Sequence, residues 1–264
     1  MAKFTHYLVT RFNVPVESWH HDKSGTVTLD ENWFQHRLDL FQKFCVPAVA
    51  QQSLKNFQWL IYCDRATHPD QLRNIEEAIV DVPKASIRLA ENISHLLTDL
   101  KVLMSQCATF YVISSRLDND DGISNDYVRT VQEHFEEQDK ILINLDGGVL
   151  YDIDDKVLTQ LNTESTNAFT SLIEKNTSPE NLLTVLGFHH TDVPDGVKVV
   201  HVKKGLHWLK IIHLRNVRSS LRGRPVFNNH YKDLAGFNTN EFPVSFVKTL
   251  RYVLRRRWEL WTSK

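Results

Sequence analysis

Two strand-like runs, Phe57–Cys63 (FQWLIYC) and Thr109–Leu117 (TFYVISSRL), each deliver an aspartate at their end, Asp64 and Asp118. A nearly continuous apolar run such as Phe57–Cys63 suits a strand covered on both faces, as in a parallel sheet between layers of helix. Parallel neighbours need crossover connections, and helix-patterned segments lie where those are required. Asp30 to Gln52 carries Trp33, Phe34, Leu38, Phe41, Cys45 and Ala48 at spacings of three and four, a helix with one buried face and Asp30 as its N-cap. Pro47 falls inside it and predicts a kink or restart. Further helices are expected over Pro69–Val80, Leu96–Met104 and Asn125–Gln138, the last capped by Ser124. His6–Phe12, Ala85–Leu89 and Lys140–Leu145 read as strands, and Asp146-Gly147-Gly148 as a turn. The second half is less regular. Ala168–Ile173 and Val197–Val202 have strand character, His207–Leu214 fits strand or helix, and Pro243–Trp261 fits helix. The alternation predicts an α/β fold with a mainly parallel, Rossmann-type central sheet flanked by helices. No linker composition interrupts it, so one compact domain is expected, with a nucleotide-binding half over 1–123 and an acceptor-shaping half over 124–264.

Composition excludes several classes. With 31 basic and 32 acidic residues in 264, the net charge of −1 gives no basis for nucleic acid as a partner. Cys45, Cys63 and Cys107 are an odd, scattered set, which fits free buried thiols and neither a disulfide framework nor a zinc knuckle. The start lacks a signal-peptide pattern, and no apolar run nears the roughly 20 residues of a membrane span. A cytoplasmic protein is expected, with peripheral contact at the inner membrane surface as the further option.

The chemistry concentrates in Ser114-Ser115-Arg116-Leu117-Asp118-Asn119-Asp120-Asp121. In extended backbone Asp118 and Asp120 share a face, at the strand end where open α/β sheets bind ligands. Two carboxylates there suit Mg²⁺ or Mn²⁺ with substrate phosphate completing the shell, and Asp121 would orient a ligand or water behind them. An Asp/Asn-rich surface turn is the plain alternative. The spacing rejects an EF-hand, because Gly122 is fifth from Asp118.

The combination of Leu8-Val9-Thr10-Arg11-Phe12-Asn13, Phe57-Gln58-Trp59-Leu60 with Asp64, and Ser115 to Asp121 resembles the bacterial putative rhamnosyltransferase family, relatives of the GT-A glycosyltransferases. Trp208-Leu209-Lys210-Ile211-Ile212-His213-Leu214-Arg215-Asn216 is similar to that family's W-L-x-x-x-H-G-x-N stretch, with Leu214 where glycine is expected. The resemblance implies a GT-A-like fold and a metal-dependent glycosyltransferase. Its donor would be a nucleotide-diphosphate sugar, with rhamnose suggested by the family label alone, and its acceptor a saccharide or a lipid-linked saccharide. It places the nucleotide at Thr10, Arg11, Asn13 and Asp64, the diphosphate at Arg116 and Asp118, and the metal at Asp118 and Asp120. His213 becomes a third metal ligand or a diphosphate contact, with Asn216 beside it.

An inverting transfer also needs a base for the acceptor hydroxyl. Glu174, at the end of a strand-like run, ranks first, followed by Asp146, Asp152 and Asp154. The other histidines lack helical metal spacing, and Trp208 fits a sugar platform or the core. Lys248–Arg257 carries an apolar stripe with a cationic rim. Packing against the domain is the expected use, and anionic lipid the alternative. A nucleotide-sugar pyrophosphorylase is a second reading, weakened because Leu8–Pro15 has no glycine for a phosphate loop. A non-catalytic nucleotide-binding protein of the same fold is a third.

Overall fold

A computed structural model of the chain describes residues 2–16, 30–216, 220–227, 236–237 and 243–262. The elements in chain order are β1 (Phe4–Arg11), α1 (Glu31–Leu40), a π-helical turn (Phe41–Cys45), α2 (Val46–Ala50), β2 (Gln58–Asp64), α3 (Pro69–Ile79), β3 (Ala85–Ala90), α4 (Ile93–Ser105), β4 (Tyr111–Arg116) and β5 (Gly122–Ile123). They continue as α5 (Tyr127–Glu133), β6 (Ile141–Leu145), β7 (Gly147–Asp152), β8 (Val157–Asn162), β9 (Ser171–Lys175), β10 (Lys198–Val202), β11 (Trp208–Ile212), β12 (Arg224–Val226) and α6 (Phe246–Thr262).

The main sheet has the order β10-β6-β9-β4-β1-β2-β3. β3, β2, β1 and β4 run parallel, as do β6 and β10, and β9 lies antiparallel between β4 and β6. This is the expected α/β arrangement with a mainly parallel central sheet. Strand alternation sorts the core into two layers. Leu8, Trp59, Ile61, Cys63 and Ile113 face one way, onto Trp33, Phe34 and Leu38 of α1, Phe41 of the π-helical turn, Ile75 of α3 and Tyr127 of α5. Tyr7, Val9, Leu60, Tyr62 and Val112 face the other way, onto Leu96, Leu100 and Met104 of α4.

Asp30 caps α1 as expected, its Oδ1 accepting from Trp33 N at 2.7 Å. The helix also restarts at Pro47 as expected: a π-helical turn precedes it, and Pro47 stands in the first turn of α2, where its missing N–H is tolerated. Two expectations changed. Ser124 does not cap α5 through its side chain. Its carbonyl accepts from Tyr127 N and from Gln52 Nε2, and its buried hydroxyl has no partner among the described residues. The Asp146-Gly147-Gly148 segment does not reverse the chain. It carries the chain from β6 directly into β7, part of a second sheet of order β12-β8-β7-β11-β5. Gly148 has a packing reason, because a Cβ there would lie 2.0 Å from the Trp208 ring. The second sheet packs Val149, Tyr151, Leu158, Leu209 and Ile211 on Leu40 and Phe44.

Candidate functional site

β4 ends at Arg116 beside the end of β1, and the next residues leave the strand. Asp121 N donates to Asp118 O at 3.2 Å, so the aspartates sit on a turn rather than on extended backbone. Each therefore points to its own partners, and the expected split into one face with two carboxylates does not hold.

Asp118 is bound two-handed by Arg116, with Nε to Oδ1 at 3.0 Å and Nη2 to Oδ1 and Oδ2 at 2.9 and 3.1 Å. Asp120, almost wholly buried, takes Arg37 Nη1, His213 Nε2 (3.1 Å) and Asn216 Nδ2 (3.3 Å), all on Oδ2. Asp121, fully buried, binds Lys210 Nζ at 2.8 Å and Ile211 N at 2.9 Å. Asn119 ties the turn down, donating to Phe12 O at 2.8 Å and accepting from Arg37 Nη1 at 3.2 Å. Arg11 belongs to the same electrostatic group. Burial lowers its guanidinium to about 10, with Asp118 and Asp120 opposing and Arg116 and Arg37 adding to the depression. Four cations thus face three carboxylates in a water-poor cluster at the carboxyl edge of the sheet.

The charges set one another's protonation. Burial pushes the Asp120 carboxyl up, but Arg37, His213 and Lys210 outweigh it and hold it far below the usual range. Asp118 is also held low, burial being overcome chiefly by Arg116 and Lys210. Asp121 goes the other way. Burial and its two acidic neighbours raise it above the ordinary carboxylate range against the pull of Lys210. Lys210 stays firmly protonated, because the three carboxylates overcome its burial.

His213 holds its place through both ring nitrogens. Nε2 meets Asp120 and Asn216 Nδ2 (2.9 Å), and Nδ1 meets His36 Nε2 at 3.3 Å. Both ring nitrogens are thus engaged, Nε2 with a carboxylate expected to hold the metal. Among the described residues, no three His, Cys, Asp or Glu side chains form a metal-holding group. Asp118 and Asp120 remain the hard oxygen donors a divalent cation requires, and both stay ionised. Leu214 causes no strain in place of the expected glycine. It is exposed on a turn closed by Asn216 N to His213 O at 3.1 Å, and its φ is not positive.

The expected nucleotide residues separate into two kinds. Thr10 is fully buried and accepts from Trp59 Nε1 at 2.9 Å, which makes it part of the core. Asn13 clamps the ends of β1 and β2, accepting from Asp64 N (3.0 Å) and donating to Thr67 Oγ1 (2.9 Å), while Asp64 Oδ1 takes Ala66 N. Asp64 is half-buried at the rim.

The expected bases fare unevenly. β9 runs antiparallel to β4, with Glu174 opposite Val112, so the end of β9 lies at the edge of the sheet away from Asp118. Glu174 there accepts from Leu183 N (2.6 Å) and Thr184 N (3.0 Å), a structural task. Asp152 closes the β7–β8 hairpin by accepting from Asp154 N and Asp155 N, and Asp154 lies in that same hairpin. Asp146 is at the correct edge, because β6 runs parallel to β4. It is sealed from solvent, with His201 Nδ1 at 2.8 Å and Asn144 Nδ2 at 2.6 Å on its Oδ1. The imidazole of His201 is about one-third exposed. Trp208 is a core residue, stacked on Phe169 at 5.1 Å and 7°.

Arg37, Lys210, His36 and His190 receive no role from the sequence. Arg37 and Lys210 are charges on otherwise apolar faces, a visible anomaly. His36 and His190 carry no such signal. The buried Nδ1 of His190 has no partner among the described residues, and burial, then Arg116 and His189, lower its ring to about 4 despite Asp118.

A family profile described as "Putative rhamnosyl transferase" matches residues 5–225. No curated protein matches the chain in sequence. Among solved structures, residues 1–349 of S. aureus TarS are 10% identical with a TM-score of 0.43, the match covering 78% of this chain and 60% of that one. The same TarS fragment in complex with UDP-GlcNAc gives 10% identity and a TM-score of 0.38 over 79% and 59%. HddC from Yersinia pseudotuberculosis, complexed with GMP-PN, gives 11% and 0.33 over 78% and 89%.

Proposed function

Because the chain belongs to the putative rhamnosyl transferase family, we propose that it transfers a sugar from a nucleotide-diphosphate donor to a saccharide or lipid-linked acceptor, with Mg²⁺ or Mn²⁺ assisting. The observation that carries this reading is the cluster of Arg11, Arg37, Arg116 and Lys210 against three aspartates. Buried cations in a low-dielectric pocket favour an anion, and guanidinium forks fit phosphate oxygens two at a time. As the bond from the sugar's anomeric carbon to the phosphate oxygen breaks, its electron pair moves onto the diphosphate, and fixed cations stabilise the growing charge without reorganising. Asp118 and Asp120 would hold the divalent ion, which supplies further neutralisation of the same leaving group.

The acceptor hydroxyl attacks from the opposite face and loses its proton to His201. Asp146 fixes the proton on Nδ1 and leaves the Nε2 lone pair available, as a buried carboxylate behind a histidine does in other acid–base pairs. β6 lies two strand spacings from β4, roughly 10 Å, room for the reacting centre between base and diphosphate. Rhamnose as the donor sugar follows the family description alone. The pyrophosphorylase reading gains nothing from this site, because no glycine-rich loop precedes α1 in the described part of the β1 exit.

The test is a thermal-shift series with UDP, GDP and dTDP and their sugar conjugates, with and without Mn²⁺. A ligand at 100 times its Kd stabilises by about 2.7 kcal/mol, or roughly 5–10 °C for a chain of this size. One nucleotide should stand out, with its shift reduced by EDTA and by Arg116→Met. No shift with any nucleoside diphosphate would overturn the proposal.

A further inference from the structure

Helix α6, Phe246–Thr262, lies against the edge of the second sheet. Lys248 Nζ reaches Asp154 O at 2.9 Å and Asp155 at 3.1 Å, Arg256 Nη1 donates to Gly223 O at 3.1 Å, and Thr249 is buried. Those contacts fix which side of the helix faces the protein. The other side is apolar. Phe246, Val247, Leu250, Leu254 and Trp258 are 42–68% exposed, and steps of four place them in a single stripe. Among the described residues, ten large apolar side chains are strongly exposed, and five of them are on this helix. The expected packing against the domain therefore covers only part of the apolar surface: Val253 is half-buried and Phe246 touches the Phe227 ring at 5.7 Å, while Leu250, Leu254 and Trp258 stay exposed.

Beside the stripe, Arg251 and Arg255 are exposed, and the helix sequence holds Lys248, Arg251, Arg255, Arg256 and Arg257 against Glu259 alone. The helix is about 25 Å long at 1.5 Å per residue, and no helix among the described residues is long and apolar enough to cross a membrane. An apolar stripe with a cationic flank is the pattern of a helix lying in the plane of a bilayer surface. Pairing with a second copy about a two-fold axis would bring Arg251 and Arg255 towards their own equivalents, which the charges disfavour.

We infer that α6 is a docking surface for an anionic lipid bilayer, with Phe246, Val247, Leu250, Leu254 and Trp258 entering the headgroup region and Arg251 and Arg255 meeting lipid phosphates. It rests on the proposed transferase only for its purpose, to hold the enzyme where a lipid-linked acceptor is found. Vesicle binding needs no donor, so the two readings fail separately.

The test is co-sedimentation of the full chain with vesicles of phosphatidylcholine alone or with 30% phosphatidylglycerol. Binding to the anionic vesicles is expected, at least tenfold tighter than to the neutral ones and weakened by salt. Leu254→Glu, on an exposed position, should abolish it without lowering Tm. Arg251→Glu should weaken it roughly fivefold or more, and both variants should keep nucleotide affinity. Equal partition to both vesicle types, no binding, or unchanged binding by both variants would overturn the inference. So would a dimer in light scattering that Leu254→Glu dissolves while vesicle binding is absent.

Discussion

Replacing Arg37 by methionine removes the guanidinium that faces Asp120 and Asn119 but keeps most of the apolar stem over Trp33, whose ring lies 5.1 Å from Arg37 Cζ. Both charges are nearly sealed, with side-chain exposures of 10% and 5%. Breaking such a pair from one side leaves a buried charge and typically costs about 3–5 kcal/mol. Asp120 keeps His213 and Asn216 as donors, so the lower end, about 3 kcal/mol, is expected. That corresponds to a fall in Tm of roughly 6–12 °C. Asp120→Asn strands Arg37 and should cost a similar amount. The double variant strands neither charge, so its loss should be about 1 kcal/mol, well short of the sum.

The sign with pH follows from the same pair. Asp120's folded pKa is depressed, so its contribution is present above the unfolded value of about 3.9 and is lost as pH falls through the folded value. Without Arg37, burial dominates and raises that carboxyl. The Arg37→Met deficit should then shrink between pH 7.5 and pH 4.5, as Asp120 takes up a proton instead of staying as a stranded anion. Urea unfolding of the four proteins at both pH values provides the measurement. Additive single losses, or a deficit independent of pH, would refute the coupled-pair reasoning.

Gly148→Ala should destabilise by about 1–3 kcal/mol, because its methyl would overlap the Trp208 ring, and Trp208→Leu in the same chain should recover part of the loss in a thermal melt. His6 is buried and neutral, its ring lowered to about 3 by burial while it bonds Ser115 Oγ at 2.7 Å. Its depressed pKa means that stability falls as pH drops below the unfolded value of about 6.5, by roughly 1.4 kcal/mol between pH 7.5 and 5.5; His6→Gln should flatten that slope in urea titrations. Glu174→Gln should leave kcat within about twofold, whereas His201→Asn should cut it by roughly 10²–10⁴ with donor affinity unchanged. The reverse pattern in single-turnover assays would return the base to Glu174.

The parts of this fold that could be read locally are those whose cause is local. Asp30 announces a cap because the residues it caps follow at once, and β4 is visible because its burial on two faces is written in consecutive side chains. Strand direction has no such local mark. The run Ala168–Ile173 looks the same whether β9 is parallel or antiparallel, yet that choice alone decides which edge of the sheet receives Glu174. Asp146-Gly147-Gly148 has turn residues for a different reason: Gly148 is there to admit Trp208 some sixty residues later. The site's cations lie between these extremes. Arg37 sits among Trp33, Phe34, Leu38 and Phe41, and Lys210 among Trp208, Leu209, Ile211 and Ile212. A charge on a face that must be buried cannot stay there unpaired. Each such cation therefore requires an anion that is also buried, and Asp118 to Asp121 is one of two stretches with three acids in four residues after an apolar strand, Asp152 to Asp155 being the other. The ion pairs Arg37–Asp120 and Lys210–Asp121 span more than eighty residues of sequence, and they follow from that requirement once the two misplaced cations are taken as evidence rather than as noise.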